Sequence, residues 1–285
     1  MHHWGQSLEH VQMYPQGVWT SVVLEHMEWS AEHVSLHVQH AMQPVNIQAK
    51  LVIGADGAQS WVREQTGVAV EVVPYAHHAL VGCFETEHSH GGIAYQWFKK
   101  NGDIMAWLPM PHGVGVVWSH TPSEITSDRT TILNDPQRIA DELSQYGHQR
   151  LGQWRYQGGL AIFPLSMQYL KSALPSRIML MGDARQRVHP LAGQGLNLGL
   201  IEARQCVEAI QAFPLNDPGH PWISARITQK ESLAQRVMPW GIDAFWRMNQ
   251  PGCMPQPFQK LLGFGWRGFH QSGMLKRVVS RMISI

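Results

Sequence analysis

Alternating apolar and polar positions in the first fifty residues predict short β-strands. The segments VWTSVVLEHMEW and HVSLHVQHA both have a period of two residues, which is typical of a strand with one buried face. A different pattern follows in LVIGADGAQSWVREQTG, with a short apolar strand, a tight turn and a helix-like stretch. Ser60 is placed to cap that helix and Gly67 to end it. The chain therefore predicts a strand–turn–helix unit at residues 51–67.

Residues 75–165 have the pattern of a separate antiparallel sheet. Four apolar runs, HHALVGCFETE, AYQWFKK, DIMAWLPM and VGVVWSH, are separated by turn residues. DPQRIADELSQYG predicts a helix that begins after Asp135 and ends at Gly147. The segment GGLAIFPLS then returns as a further strand.

The last third begins with one more strand and is otherwise helical. SRIMLMGD predicts the strand, and a helix is expected from Gly195 to Phe213. The apolar face predicted for this helix consists of Leu196, Leu200, Ala203, Val207 and Ile210. Beyond PLNDPGHP the chain is expected to be helical, and MLKRVVSRMISI predicts an amphipathic helix with a basic face.

Composition restricts the function classes. The chain is 44% hydrophobic and 15% charged with a net charge of +1, which excludes a disordered protein and gives no overall field for nucleic acid. From residue 221 onward there are nine Lys or Arg and two Asp or Glu residues. This local excess indicates either an acidic partner, an anionic membrane surface or a solvated helix face.

Cysteines and histidines give no metal signal. Cys83, Cys206 and Cys253 form no C-x-x-C pair, which fits a reducing compartment without structural zinc. The seventeen histidines show no metalloprotease spacing, so no metal site is expected. No secretory signal is expected at the N-terminus, and no run approaches the ~18 apolar residues of a membrane-spanning helix.

The stretch MLMGDARQRVHPLAGQGLNLGL, residues 179–200, carries the clearest candidate chemistry. It places Asp183 at the carboxyl end of a strand, followed by a glycine-rich turn into a helix N-terminus. The carboxylate can accept hydrogen bonds from ligand hydroxyls, and the amides at the helix start can face a carbonyl or an anion. Gly193 and Gly195 permit close backbone approach to a flat ring. An ordinary strand–helix connection would have similar features, so the stretch alone leaves both interpretations open.

Two motifs together resemble one family. GDARQRVHPLAGQGLNLG resembles the second flavin motif of the class A flavoprotein monooxygenases, the p-hydroxybenzoate-hydroxylase-like group, and LVIGADGAQSWVRE resembles their Asp-Gly motif. The two occur in the order found in that group, with a sheet-like layer between them. The similarity is strongest to the ubiquinone-biosynthesis branch, the 2-polyprenylphenol hydroxylases, and runs from about residue 50 to the end.

The resemblance implies a fold and a division of the chain. The fold is mixed α/β (α+β), with a partial FAD/NAD(P)-binding Rossmann-like domain that lacks its first βαβ unit, an antiparallel-sheet substrate domain and a helical C-terminal tail. The expected division is 1–74 for the remnant of the FAD-binding domain with the Asp-Gly motif, 75–165 for the substrate domain, 166–215 for the second part of the FAD-binding domain with the Gly-Asp motif, and 216–285 for the C-terminal helices.

The resemblance also implies a cofactor site. Asp183, after Gly182, would bind the ribityl hydroxyls of FAD, and Asp56 and Gly57 would lie near the pyrophosphate and the nicotinamide path. The residues expected along the isoalloxazine are Pro190, Gly193, Gln194, Gly195, Leu196 and Asn197. His189 is a candidate substrate contact, with loop packing as the alternative. No residue is an obvious catalytic acid or base, which fits a reaction whose chemistry FAD carries, and the catalytic residues stay unknown.

The sequence departs from the family at two places. The family's opening strand, G-x-G-x-x-G turn and helix are absent; the literal match GFGWRG at 263–268 lies in the tail and is interpreted as a helix–helix turn. We therefore expect this chain to bind FAD poorly and to aggregate, whether the cause is a true truncation, a misassigned start or a fragment. Arg185, Gln186 and Arg187 stand where the family has small residues and a His. The two cations either favour an anionic reduced flavin or point to solvent.

The resulting hypothesis is an FAD-dependent monooxygenase that hydroxylates the ring of a prenylated phenol in ubiquinone biosynthesis, with NAD(P)H and O2. The alternative is a truncated, inactive paralogue that binds a prenylphenol or a partner protein without flavin turnover. A hydroxylase of another aromatic substrate also stays open. A cytoplasmic location is expected. Contact of the basic tail with the inner membrane or with other ubiquinone-biosynthesis proteins is a further hypothesis, and no nucleic-acid partner is expected.

Overall fold

The computed structural model describes residues 17–99, 101–121, 135–147, 149–188, 194–215, 217–230, 240–241, 243–244 and 246–248. The strands are β1 (Val22–Trp29), β2 (Val34–His40), β3 (Gln43–Ala49), β4 (Val52–Gly54), β5 (Val70–Thr86), β6 (Tyr95–Phe98), β7 (Ile104–Met110), β8 (Gly113–His120), β9 (Trp154–Leu170) and β10 (Ile178–Leu180). The helices are α1 (Trp61–Thr66), α2 (Pro136–Tyr146), α3 (Gln194–Ala212) and α4 (Pro221–Lys230).

The first three strands form an antiparallel sheet in the order β1-β2-β3. The strands predicted in the two alternating segments are confirmed as β1 and β2. Strand β3 was not predicted, because Pro44 and Asn46 interrupt the pattern that strand residues normally show. It pairs with β2 along its whole length, from Val34 opposite Ala49 to His40 opposite Gln43.

A short parallel pair brings the two motif-bearing segments together. Strand β10 pairs with β4 in parallel, with Ile178 opposite Val52 and Leu180 opposite Gly54. Parallel strands end at the same edge, so the turns that follow them lie side by side. A buried apolar cluster below this pair joins it to α1 and to the three-stranded sheet: Met27, Val34, Val52, Val62, Ile178, Leu180 and Ala184.

The second sheet is antiparallel and has five strands in the order β6-β7-β8-β5-β9. This confirms the strands predicted between residues 75 and 165. Strands β5 and β9 each contain 17 residues, and they pair from Val70 opposite Leu170 to Thr86 opposite Trp154. The predicted domain boundaries at residues 74 and 165 fall inside these two strands, which run continuously from the sheet toward the parallel pair. The four-part division stays a prediction.

Helix α2 covers one face of the five-stranded sheet. It begins as predicted, with the Asp135 side chain accepting from the Arg138 amide, and Gly147 forms its C-cap. The core below it contains Phe84, Met105, Trp107, Trp154, Ile139 and Leu143, each almost fully buried. The opposite face of the sheet carries apolar side chains that are exposed, among them Leu108, Met110 and Phe163.

Helix α3 confirms the predicted helix but not its predicted buried face. Leu196 is 73% exposed and Val207 53% exposed, and Leu200 is exposed as well. The buried face consists of Leu198, Glu202, Gln205, Cys206 and Ala209. This set recurs at helical spacing on the other side of the helix. The apolar face named from the sequence is therefore not the face that is buried, because the polar residues Glu202 and Gln205 point inward.

The described part of the tail is helical, as expected. Helix α4 packs with α3 through Ile223 and Ile227 against Cys206 and Ala209. Trp246 packs against Tyr75, whose hydroxyl donates to Asp243 at 2.9 Å. The GFGWRG segment at 263–268 and the predicted terminal amphipathic helix lie outside the described residues. No helix among the described residues is long and apolar enough to cross a membrane.

Candidate FAD site

The Asp-Gly turn connects β4 to α1. Asp56 Oδ2 accepts a hydrogen bond from the Val62 amide at 3.1 Å, and Ser60 Oγ accepts from the Arg63 amide at 3.0 Å. Two side chains therefore satisfy amides at the first turn of this helix. Gly57 has φ +83°, a conformation that favours glycine, and a side chain built there would meet no atom within 4 Å. Asp56 is thus a helix cap at the edge of an open space.

The Gly-Asp turn follows β10 at the same edge. Met181 donates its amide to the Gly54 carbonyl at 2.9 Å, which extends the contact between the two strands to the start of the turn. Gly182–Ala184 form a single 3₁₀ turn, and Gly182 has φ +56°. Ala184 is fully buried, whereas the intervening Asp183 is exposed. The turn therefore fixes its backbone in the core and presents one carboxylate to solvent.

Arg63 joins the two turns. Its Nη1 donates to the Ala184 carbonyl at 2.8 Å, and its Nη2 donates to the Ala58 carbonyl at 2.7 Å. A planar guanidinium can make both bonds at once, because its donors diverge in a fixed geometry. Arg63 was not among the predicted site residues. Its role depends on a carbonyl 121 residues further along the chain, which no local pattern shows.

The N-terminus of α3 lies against the Gly-Asp turn. A Cβ built on Gly195 would be 4.0 Å from Asp183 Oδ1, and one built on Gly199 would be 3.4 Å from Gly182 Cα. Both distances are ordinary van der Waals contacts, so the start of α3 packs against the turn at these two positions. Gln194 is the first residue of α3, Leu196 is exposed and Asn197 is half-buried. The predicted site residues Asp183 and Gly195 are thus brought together at one edge.

Three predicted residues, His189, Pro190 and Gly193, lie outside the described residues. Their predicted roles stay predictions. The described chain ends at Val188 on one side of this segment and resumes at Gln194 on the other.

Glu202 is a buried carboxylate under the Gly-Asp turn, and sequence reasoning missed it. Its side chain is 6% exposed. Oε2 accepts from the Gly182 amide at 2.8 Å, and Oε1 accepts from Gln186 Nε2 at 2.9 Å and from Arg185 Nη1 at 3.0 Å. Burial raises the pKa of Glu202, although the nearby Arg185 charge and these hydrogen bonds favour the ionised form. The inward spacing of residues 198, 202, 205 and 209 is the sequence signal that could have found it.

The two arginines that depart from the family pattern have different partners. Arg185 forms an ion pair with Glu202, so its charge is offset at the site. Arg187 donates from Nη2 to the Ser166 hydroxyl. Its backbone forms a reciprocal pair with Gln168, at 2.9 and 3.0 Å. Both arginines are half-buried, so the expectation that they point to solvent is not met.

The arrangement fits a ligand that has hydroxyl groups for Asp183 and a part that lies along the backbone of the two turns. Asp183 offers an exposed acceptor, and a Cβ built on Gly57 or Gly182 would meet no atom within 4 Å. The open space lies where two strands end and a helix begins, which is the usual location of nucleotide sites in α/β folds. The described residues contain no group of three His, Cys, Asp or Glu side chains that could hold a metal ion.

A family model described as "FAD binding domain" matches residues 20–216, a range that contains both turns and the whole second sheet. The chain belongs to this family. The resemblance found in the two motifs is therefore confirmed, and FAD is the cofactor that the FAD binding domain family is named for.

Proteins similar in sequence include two that are named as hydroxylases of ubiquinone or its precursor. The chain is 30% identical over 238 residues to the 3-demethoxyubiquinol 3-hydroxylase of Escherichia coli, covering 81% of this chain and 58% of that protein. It is 31% identical over 239 residues to the ubiquinone hydroxylase UbiL of Rhodospirillum rubrum, covering 82% and 54%. The chain thus spans little more than half the length of these relatives.

Solved structures share the fold. The anhydrotetracycline hydroxylase OxyS of Streptomyces rimosus superposes with a TM-score of 0.65 at 17% identity, over 92% of this chain and 51% of that one. The flavin-dependent brominase Bmp2 superposes with a TM-score of 0.67 at 16% identity, over 92% and 64%. These likenesses confirm the mixed α/β architecture predicted from the motifs.

Proposed function

We propose that this chain carries the FAD site and substrate sheet of an FAD-dependent monooxygenase that hydroxylates a prenylated phenol in ubiquinone biosynthesis. The observation that carries the proposal is the pair of hydrogen bonds from Arg63 to the Ala184 and Ala58 carbonyls. They join the Asp-Gly and Gly-Asp turns inside the segment that matches the FAD binding domain. The names of the relatives, both hydroxylases of ubiquinone intermediates, support the reaction and the substrate class.

The residues of the two turns and of the α3 N-terminus would hold FAD in a defined way. Asp183 would accept from the ribityl hydroxyls, and the α3 N-terminus at Gly195, Leu196 and Asn197 would lie along the isoalloxazine together with Pro190, Gly193 and Gln194. Asp56 and Gly57 would face the pyrophosphate and the path of the nicotinamide. When bound, FAD reduced by NAD(P)H supplies the activation of O2 needed to hydroxylate an electron-rich ring. The chain's own contribution is orientation and exclusion of water.

The open face of the five-stranded sheet is the proposed substrate surface. The registers Ala79 opposite Phe163 and Ala79 opposite Ser119 place Phe163 on the face that is not covered by α2. Leu108 and Met110 lie on the same face, because they alternate with the buried Trp107 and follow Ile104, which pairs with Ser119. A group of exposed apolar side chains of this kind fits a prenyl chain better than a charged substrate.

FAD binding is tested by titrating the chain with FAD and recording the flavin absorbance that stays with the protein. We expect weak but saturable binding, and a D183N variant should bind less tightly because the neutral amide is a poorer acceptor for ribityl hydroxyls. E208Q is the matched control, since it neutralises an exposed carboxylate on α3 whose ion pair with Arg204 is long, at 3.7 Å. Equal affinity of D183N and the parent chain would contradict the assigned role of Asp183.

Turnover distinguishes the enzyme from its alternatives. Product analysis after incubation with NAD(P)H, O2 and a prenylated phenol should show one added oxygen atom on the ring. Bound FAD without turnover would favour the inactive binding protein, and turnover of other phenols alone would favour a different aromatic substrate. No observation on the described residues favours either alternative. Contact with the membrane or with other ubiquinone-biosynthesis proteins, proposed for the basic tail, concerns residues outside the described range.

A further inference from the structure

The Gly-Asp turn is supported from below by one carboxylate. Glu202 lies on the inward face of α3 and accepts hydrogen bonds from the Gly182 amide, from Gln186 and from Arg185, at 2.8 to 3.0 Å. All three donors belong to the turn or to the two residues after it. The contacts are therefore confined to the segment that presents Asp183.

The hydrogen bonds within the turn do not by themselves fix its backbone conformation. Gly182 has φ +56°, and its carbonyl already accepts from the amides of Arg185 and Gln186 at 3.0 and 2.9 Å. Its own amide points the other way, into the interior, where a buried donor needs an acceptor. Glu202 Oε2 is that acceptor, so the orientation of the Gly182 peptide depends on the glutamate.

Arg185 makes the buried carboxylate tolerable. An isolated carboxylate away from water is strongly disfavoured, and a cation in contact offsets much of that cost. The Arg185 side chain is 31% exposed, so it links the buried acid to the surface of the turn. The arginine that departs from the family pattern thus has a defined role as the counter-ion of Glu202.

We propose that Glu202 is the positioning residue of the FAD site: it holds the Gly182 peptide, and through it the Asp183 carboxylate, in the orientation that binds the cofactor, with Arg185 as its counter-ion. The role of Glu202 in FAD binding rests on the proposed function. Its role in the conformation of the turn does not depend on that function. In this proposal Glu202 acts on the turn, through its hydrogen bonds to Gly182, Arg185 and Gln186.

The first experiment measures the turn without FAD. Amide hydrogen exchange of the segment around Gly182 is compared between the full chain and its E202Q, E202L and E208Q variants. We expect exchange at Gly182 and Arg185 to accelerate about 10-fold or more in E202L, to change less in E202Q, which keeps one carbonyl acceptor, and to stay unchanged in E208Q. Unchanged exchange at Gly182 in E202L, with a folded chain, would overturn the proposal.

The second experiment measures FAD affinity of the same variants. We expect FAD affinity to fall about 10- to 100-fold in E202L and by a smaller factor in E202Q. The control E208Q should keep the FAD affinity of the parent chain. A merely structural role would lower thermal stability in proportion and would give equal losses for E202Q and E202L. Equal losses of FAD affinity in E202Q and E202L would therefore contradict the proposed positioning role of Glu202. If the parent chain binds no FAD, the proposed function fails, while the exchange experiment still decides the role of Glu202.

Discussion

Arg63 Nη1 lies 2.8 Å from the carbonyl oxygen of Ala184, and this bond ties the helix after β4 to the turn after β10. The Nη2 atom of the same guanidinium donates to the Ala58 carbonyl, so one arginine side chain contacts both turns of the candidate site. The parallel pair alone has only three residues in each strand. We infer that the relative position of the two turns depends on Arg63 as much as on the sheet.

Replacing Arg63 should therefore weaken FAD binding more than it unfolds the chain. R63A removes two charge-assisted hydrogen bonds, each worth about 1.5–3 kcal/mol in partly buried surroundings, and we expect FAD affinity to fall about 10-fold. R63K should recover little, because one ammonium cannot span two carbonyls with fixed geometry. FAD titration together with thermal unfolding measures both effects.

The control for Arg63 is R204A, which removes an exposed arginine of α3 whose ion pair with Glu208 is long, at 3.7 Å. Exposed pairs of this kind contribute little, so affinity should stay unchanged. An R63A variant with parent-like FAD affinity would show that the two turns are positioned by the strands alone.

Gly54 is required for the contact between α1 and the parallel pair. A Cβ at this position would lie 2.7 Å from Leu180 Cδ2 and 2.8 Å from Val62 Cβ, within the buried cluster. We expect G54A to reduce the free energy of unfolding by about 1–3 kcal/mol, because the core must shift to accept the methyl group. Chemical denaturation measures the change.

Gly241 offers the matched comparison for Gly54. A Cβ built there meets no atom within 4 Å, and the residue is helical. G241A should be neutral or should stabilise the chain by up to about 1 kcal/mol, since alanine is the better helix former. Equal destabilisation by both substitutions would contradict the steric explanation for Gly54.

Much of the fold could be predicted from local patterns. Caps such as Ser60 and Asp135 and the period-two strands gave the right elements, because those signals act over a few residues. Strand β3 was missed because Pro44 and Asn46 disfavour a strand, and only its pairing with β2 stabilises it. Tertiary pairing of this kind has no local signature.

The sequence analysis named the glycines and Asp183 of the candidate site, whose roles stay predictions, but it did not name the residues that support the turn. Arg63 and Glu202 act on backbone groups that belong to other elements, and no spacing rule connects them to those partners. Glu202 is polar and does not belong to the apolar face from which this helix was predicted. A buried acid is stable here because it accepts three hydrogen bonds, one of which comes from the charged Arg185.

The corrected orientation of α3 predicts which leucine tolerates a charge. L200K should change the free energy of unfolding by less than about 0.5 kcal/mol, because Leu200 is exposed. L198K should destabilise the chain by more than about 3 kcal/mol, because it places an ammonium in a buried position. The two substitutions are two residues apart on one helix, so helix propensity is the same in both. Chemical denaturation of both variants measures the difference, and the reverse order would restore the face predicted from hydropathy.

The pair Arg177–Asp217 should make the fold sensitive to acid. Arg177 Nη1 and Nη2 donate to the two carboxylate oxygens of Asp217 at 2.8 and 2.9 Å, and the Arg177 side chain is 8% exposed. Arg177 also donates to the carbonyls of Ala31 and Lys50, which connects the first sheet to the segment before α4. These hydrogen bonds hold the pKa of Asp217 below its usual value of 3.8.

The sign of the pH effect follows from that lowered pKa. The stabilisation by Asp217 is fully present above the unfolded-state pKa and is lost as the pH falls through the lower folded-state pKa. D217N should therefore cost about 2 kcal/mol at neutral pH, with a smaller difference from the parent chain in strong acid. Denaturation at a series of pH values measures this convergence. E208Q, which changes an exposed pair, should show no such convergence, and a D217N difference that is constant down to the lowest pH would contradict the assignment to this ion pair.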